Sequence, residues 1–298
     1  MVPDTLSQDE AAAWVALSLV DRLDVPAALR LIRAFGGVEE ALGAPLTDLA
    51  RLIGMPAAEG VRAAARGAHD EEVEGALAWL SDVRNARLLT IADPDFPGGL
   101  VAAGAAPLVL YACGPAELLA RRPLLALCGT EDPDEEGLRN AEDFGRAAAK
   151  SGAVVAALMA RGVSAAALSG ALSAPGALPP AALLVTGCAR AIRGLEGLQR
   201  RILDAGGLLL SAEAPGSGRT EESTARARGL LAATAPVFLL VEASLGDPSV
   251  DAARRAAEAG ATVGAVPGSI HAALAKGGNR IIREGALLVE TCADLGLG

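Results

Sequence analysis

From Leu88 onward, short apolar runs alternate with Ala-rich segments of helical length, and this alternation restricts the chain to few folds. The runs are 87–91, 108–114, Leu124–Cys128, Ala153–Leu158, Ala181–Val185, Gly207–Ser211, Val237–Val241 and Thr262–Val266. Between the later ones lie Gly137–Ser151, Ala165–Ala174, Glu196–Ala205, Thr220–Thr234 and Val250–Gly260. A strand that is apolar at successive positions is buried on both faces. Such strands alternating with helices predict a doubly wound, mostly parallel α/β sheet covered on both sides. The Ala/Pro/Gly tract around 171–182 reads as a loop.

The first 85 residues follow another period. Ala11, Trp14, Val15, Leu17 and Leu23 form a stripe at helical spacing, and Ala27–Ile32, Val38–Leu42, Leu46–Ile53 and Ala57–Gly67 continue in the same way. We therefore expect a small all-helical domain at 1–85, SAM-like or helix-hairpin-helix-like, ahead of an α/β domain at 86–298. The Ile53-Gly54-Met55 turn admits two interpretations. It presents backbone N–H groups to a phosphate, or its glycine merely caps a helix in an ordinary bundle.

Composition narrows the function classes. The formal charge is −10 and only 2% of residues are aromatic, so neither a broad basic surface nor a base-stacking platform is expected. Cys113, Cys128, Cys188 and Cys292 are far apart and only His69 and His271 accompany them, so no metal site and no cofactor are expected. Met1-Val2-Pro3-Asp4 opens no signal peptide, and the uncharged stretches are broken by Gly and Pro. A cytoplasmic protein without a membrane partner is the expectation.

Several motifs resemble the DNA-processing protein A family. Phe96-Pro97, Leu100 and Pro107–Tyr111 with Gly114 resemble the approach to that family's Rossmann-like domain. Leu127-Cys128-Gly129-Thr130 stands at its first strand-to-loop turn, Ala160-Arg161-Gly162-Val163 at its second, and Arg226-Ala227-Arg228 at its basic Arg-Asn-Arg motif. Glu242, Ser249, Ala253, Glu258, Gly260, Val266–Ile270 and Gly278–Arg283 then follow in register. The resemblance covers roughly 90–292, and more weakly the preceding helices. It implies a Rossmann-like fold, single-stranded DNA binding without catalysis, help in loading a recombinase during natural transformation, and a homodimer. After Leu295-Gly296-Leu297 no winged-helix segment of the kind many relatives carry is expected.

The departures concentrate in the turns. Where the family has Gly-Ser-Arg, this chain has Gly129-Thr130-Glu131, followed by Asp132, Asp134, Glu135 and Glu136. Acids at a helix start complement its dipole, yet they also repel an incoming phosphate. In the second turn Ala157 and Leu158 replace Ser and Gly, Ser164 replaces Asp, and Leu168 replaces His. Ala227 and Ala252 replace Asn and Thr. Each change removes a polar group or a close backbone approach.

On this basis the nucleic-acid site is expected at Gly129, Thr130, Arg161, Gly162, Arg226, Arg228, Ser249, Gly268, Asn279 and Arg280. An apolar dimer patch is expected at Ile270, Leu274, Ile281 and Ile282, although ordinary core packing explains those residues equally well. The arginines are either a phosphate groove beyond the strand ends or solvated charges paired with nearby acids. Two other readings remain: a degenerate paralogue acting as dimer partner or scaffold, and a nucleotide N-glycosidic hydrolase using Glu242. The second lacks the Gly-rich stretch such enzymes show, because Pro267-Gly268-Ser269 stands there.

Overall fold

The computed structural model describes residues 6–121 and 123–297. The Met1–Asp4 segment, on which the signal-peptide expectation rests, lies outside the described residues. Six helices come first: α1 (Gln8–Ser18), α2 (Val25–Phe35), α3 (Val38–Gly43), α4 (Leu46–Ile53), α5 (Met55–Ala64) and α6 (Asp70–Asp82). Local chemistry sets their limits. Ser7 and Asp24 cap α1 and α2 by accepting from Glu10 and Ala27 N–H, and Gly36 ends α2 in the left-handed region at φ +90°. At the α4–α5 turn the Gly54 N–H is spent on the Ala50 carbonyl at 3.0 Å, so this glycine caps a helix within the bundle.

The remainder forms a nine-stranded sheet. Its strands are β1 (Ala86–Thr90), β2 (Val109–Cys113), β3 (Leu124–Cys128), β4 (Val154–Met159), β5 (Ala181–Leu184), β6 (Leu208–Ser211), β7 (Val237–Leu240), β8 (Thr262–Ala265) and β9 (Leu287–Leu288). The spatial order is β1-β2-β6-β5-β4-β3-β7-β8-β9. From β6 to β9 every pairing is parallel, while β1 and β2 add an antiparallel edge beside β6. Among the described residues seven further α-helices follow: α7 (Gly98–Ala102), α8 (Glu135–Lys150), α9 (Val163–Leu172), α10 (Glu196–Asp204), α11 (Glu221–Thr234), α12 (Pro248–Glu258) and α13 (Lys276–Arg283). The expected Rossmann-like, doubly wound and mostly parallel architecture with helices ahead of it is what the molecule adopts.

The two-residue period of the strands sorts their side chains into two layers. Leu124, Ala126 and Cys128, with Val154, Ala156, Leu158, Phe238 and Leu240, face a core shared with Leu230 and Leu231 of α11 and Val250 and Ala253 of α12. The intervening Leu125, Leu127, Val155 and Leu239 face Ala141 and Phe144 of α8 and Ala167 of α9. Toward the other edge the same face receives the N-terminal helices, with Trp79 set edge-on to Tyr111 at 6.0 Å. Small residues let α8 and α9 approach closely: a side chain at Gly145 would collide with the Ala167 carbonyl, and one at Gly170 with that of Glu142. Among the described residues no helix is long and apolar enough to cross a membrane.

Candidate nucleic-acid interface

The chain builds β3 through β6 outward in one direction, then returns to place β7 on the opposite side of β3. That reversal opens a crevice beyond the carboxyl ends of the strands, where open α/β sheets bind ligands. The crevice here is a cavity of about 830 Å³, lined by Gly129–Asp132 after β3, Arg161 after β4, Arg219–Glu221 with Thr224, Ala225 and Arg228 at the start of α11, and Asp247–Ser249 at the start of α12.

Its walls are knitted by polar contacts, several of them part-buried. The Thr130 N–H donates to the Glu242 carbonyl at 2.8 Å, joining the β3 turn to the end of β7. The Ser249 hydroxyl donates to the Gly129 carbonyl at 2.9 Å, and Asp247 caps α12 by accepting from the Ser249 N–H at 2.8 Å. Thr220 and Ser223 form a reciprocal capping box at the start of α11. Cys128 lies fully buried below, and burial pushes its thiol up, so it remains neutral.

The charges at the mouth are mixed, with guanidinium groups from Arg161, Arg219 and Arg228 facing carboxylates of Glu131, Asp132, Glu221 and Asp247. Arg161 pairs with Asp132 at 3.1 Å and Glu131 at 3.8 Å. Arg219 forks onto Glu131 with both terminal nitrogens and donates its Nε to the Thr224 hydroxyl at 3.2 Å. Arg228 differs: its Nε is buried, and no hydrogen bond or ion pair satisfies it among the described residues.

The helix start that would ordinarily receive a phosphate is occupied by the protein itself. At α8 the Asp134 side chain accepts from the Gly137 N–H at 2.8 Å, and Glu242 Oε2 accepts from the Asp134 N–H at 3.1 Å. A side chain at Gly137 would strike the Glu242 carboxylate. Glu242 therefore works as an internal anion for α8 and does not line the crevice. Desolvation raises its pKa above the ordinary carboxylate value, and the Asp134 and Glu136 charges add to the shift against the Asp134 N–H bond.

The structure thus brings Gly129, Thr130, Arg161, Arg228 and Ser249 together around one cavity. Gly162 lies beneath them at φ +75°, where a Cβ would stand 2.5 Å from the Thr130 carbonyl oxygen. The other four sequence-derived candidates lie outside the lining. Arg226 pairs with Glu213 at 3.4 Å. Asn279 accepts from and donates to the Gly268 backbone, and Arg280 pairs with Glu284. Ile281 corrects the expected dimer patch: it is 4% exposed and belongs to the sheet core, so it cannot face a partner, whereas Ile270 is 76% exposed. Ile282 is partly buried against the same core. Sequence reasoning missed Arg219, although its place in a Gly-rich loop directly before the Thr220 cap was an available signal.

Fold and crevice together define a Rossmann-like α/β protein with a cavity of mixed charge at its switch point. A family model described as DNA recombination-mediator protein A matches residues 87–296. DNA processing protein DprA of Mycobacterium tuberculosis, from strains CDC 1551 and H37Rv, is 30% identical over 302 residues, spanning 96% of this chain and 74% of the relative. The chain belongs to the DNA recombination-mediator protein A family. Its fold is shared with DNA processing protein A of Streptococcus pneumoniae, at 22% identity and a TM-score of 0.79 over 98% of this chain and 97% of that one. The Helicobacter pylori protein, described for its single-stranded DNA binding mode, superimposes with a TM-score of 0.60 at 20% identity, over 72% and 94% of the two chains.

Proposed function

We propose that this protein binds single-stranded DNA across the switch-point crevice, without catalysis, and passes the strand to a recombinase in the cytoplasm. The observation that carries the proposal is Arg228, a guanidinium with a buried, unsatisfied Nε in a cavity also edged by Thr130, Ser249 and two further arginines. A buried donor without a partner favours an incoming acceptor, and a charge-assisted bond to phosphate fits that need. Kinship with the H. pylori protein, described for single-stranded DNA binding, agrees with it.

The test is fluorescence anisotropy of a labelled oligo-dT over a salt series. Binding should weaken steeply with salt, and Arg228→Ala should reduce affinity by about ten- to a hundredfold, the equivalent of one charged hydrogen bond. Arg226→Ala, at a side chain already paired with Glu213, should cost less. Absence of binding even at low ionic strength would leave the second reading, a paralogue retained as a homodimer partner or scaffold. What favours that reading is the mouth itself, where carboxylates outnumber guanidinium groups.

A further inference from the structure

We infer that Glu131 and Asp132 set the ligand threshold of the crevice: this acidic turn occupies Arg161 and Arg219 as an internal substitute for phosphate, so that only a polyanion displaces it. The inference rests on the strand-binding proposal and assigns specificity within that site. Glu131 lies between two guanidinium groups, forked by Arg219 and approached by the Arg161 Nε at 3.8 Å, while Asp132 takes the far end of Arg161 at 3.1 Å. A fork on two carboxylate oxygens is also the geometry with which arginine holds phosphate. The same groups therefore serve either partner, in competition.

The turn is held as a fixed ligand and not as a loose flap. Its backbone is pinned by Thr130 N–H to the Glu242 carbonyl at 2.8 Å and by Val163 N–H to the Thr130 carbonyl at 3.2 Å. Gly162, lacking a side chain, lets the Thr130 and Glu131 carbonyls rest on it. An anion tethered and oriented in this way competes at high effective concentration, with little ordering entropy left to lose. A single phosphate reaching Arg228 meets Glu131, Asp132, Glu221 and Asp247 around the same cavity. A strand carries further phosphates on either side, which exchange with the carboxylates pairwise once Arg228 has anchored it.

The experiment compares the full wild-type chain with Glu131→Gln/Asp132→Asn, using labelled oligo-dT and inorganic pyrophosphate as probes. Glu71→Gln/Glu72→Gln on exposed positions of α6 serves as the charge-matched control. We expect the acidic-turn variant to bind oligo-dT roughly tenfold tighter than wild type, with a steeper salt dependence, and the control to change little. Pyrophosphate should bind the turn variant and not the wild type. Asp132→Asn alone, at a side chain 79% exposed, should give a smaller gain without any risk to folding. An oligo-dT affinity that is unchanged or weaker in the variant, while Arg228→Ala still reduces wild-type binding, overturns the inference and leaves the strand-binding proposal standing. Equal tightening by the control also overturns it, since total charge would then be the cause. If neither wild type nor variant binds oligo-dT, the strand-binding proposal fails and takes this one with it.

Discussion

Ser249 at the start of α12 donates its hydroxyl to the Gly129 carbonyl in the turn after β3, at 2.9 Å and 120 residues away in sequence. Ser249 is 2% exposed, so water has little access to replace it. Ser249→Ala should strip this part-buried carbonyl of its hydroxyl donor and cost about 0.5–1.5 kcal/mol of stability. Urea denaturation measures this directly. A loss below about 0.5 kcal/mol would mean that this bond adds little to what packing and the Thr130–Glu242 bond already hold.

Gly162 gives a sharper test because two effects coincide there. Its φ of +75° strains any other residue, and a Cβ would stand 2.5 Å and 2.6 Å from the Thr130 and Glu131 carbonyl oxygens. Gly194 has a similar φ of +81° with open space around it. We expect Gly194→Ala to cost about 1 kcal/mol and Gly162→Ala clearly more, above about 2 kcal/mol. The difference between the two variants combines the close approach of the β3 turn with the ψ of −136° at Gly162. Equal losses in thermal unfolding would show that the turn simply moves aside.

These two positions also mark what the sequence could and could not disclose. The strands were legible because parallel sheet residues are apolar on both faces, and the run Leu124–Cys128 needs no partner to be recognised. Helix limits were legible where local chemistry sets them, as at Leu46–Ile53. The antiparallel edge of β1 and β2 against β6 was not, since Tyr111 meets Ser211 only through tertiary pairing. The clasp of Arg219 on Glu131 joins residues 88 apart, and nothing in local pattern couples them. The Gly278–Arg283 stretch followed the family order, yet it places Asn279 on the Gly268 backbone and Arg280 on Glu284, away from the crevice. Order along a chain conveys kinship better than it conveys which side chains share a cavity.

Two carboxylates should shape the pH dependence with opposite signs. Desolvation raises the folded-state pKa of Glu242 above its ordinary 4.5, so the folded protein holds that proton longer than the unfolded chain. The associated stability is fully present below the unfolded value and is lost as pH rises through the folded one. Glu242→Gln should therefore gain on wild type as pH climbs past the ordinary carboxylate range. Glu284 runs the other way: hydrogen bonds from Arg254 and Arg280 lower its pKa from 4.5 to about 2. Its contribution is complete above 4.5 and lost as pH falls toward about 2, so Glu284→Gln should flatten the acid side of the stability profile. Thermal midpoints across pH for both variants check the signs. A Glu242→Gln curve parallel to wild type throughout would show that the carboxylate is solvated after all.

The contrast between Ile270 and Ile281 separates surface from core between the loop after β8 and α13. Ile281 is 4% exposed and packs with Val263 and Ala265 on the α12 side of the sheet, while Ile270 is 76% exposed in the loop after β8. Deleting buried methylene groups removes transfer free energy and leaves a cavity, so Ile281→Ala should cost about 2–5 kcal/mol. Ile270→Ser removes no burial within the chain, and its unfolding free energy should stay within about 0.5 kcal/mol of wild type. Should the chain form a homodimer through this region, Ile270→Ser is the substitution expected to lower the mass found by light scattering, whereas Ile281→Ala would act only through folding. A stable Ile281→Ala monomer derived from a dimeric wild type would reverse that assignment and place Ile281 at the contact.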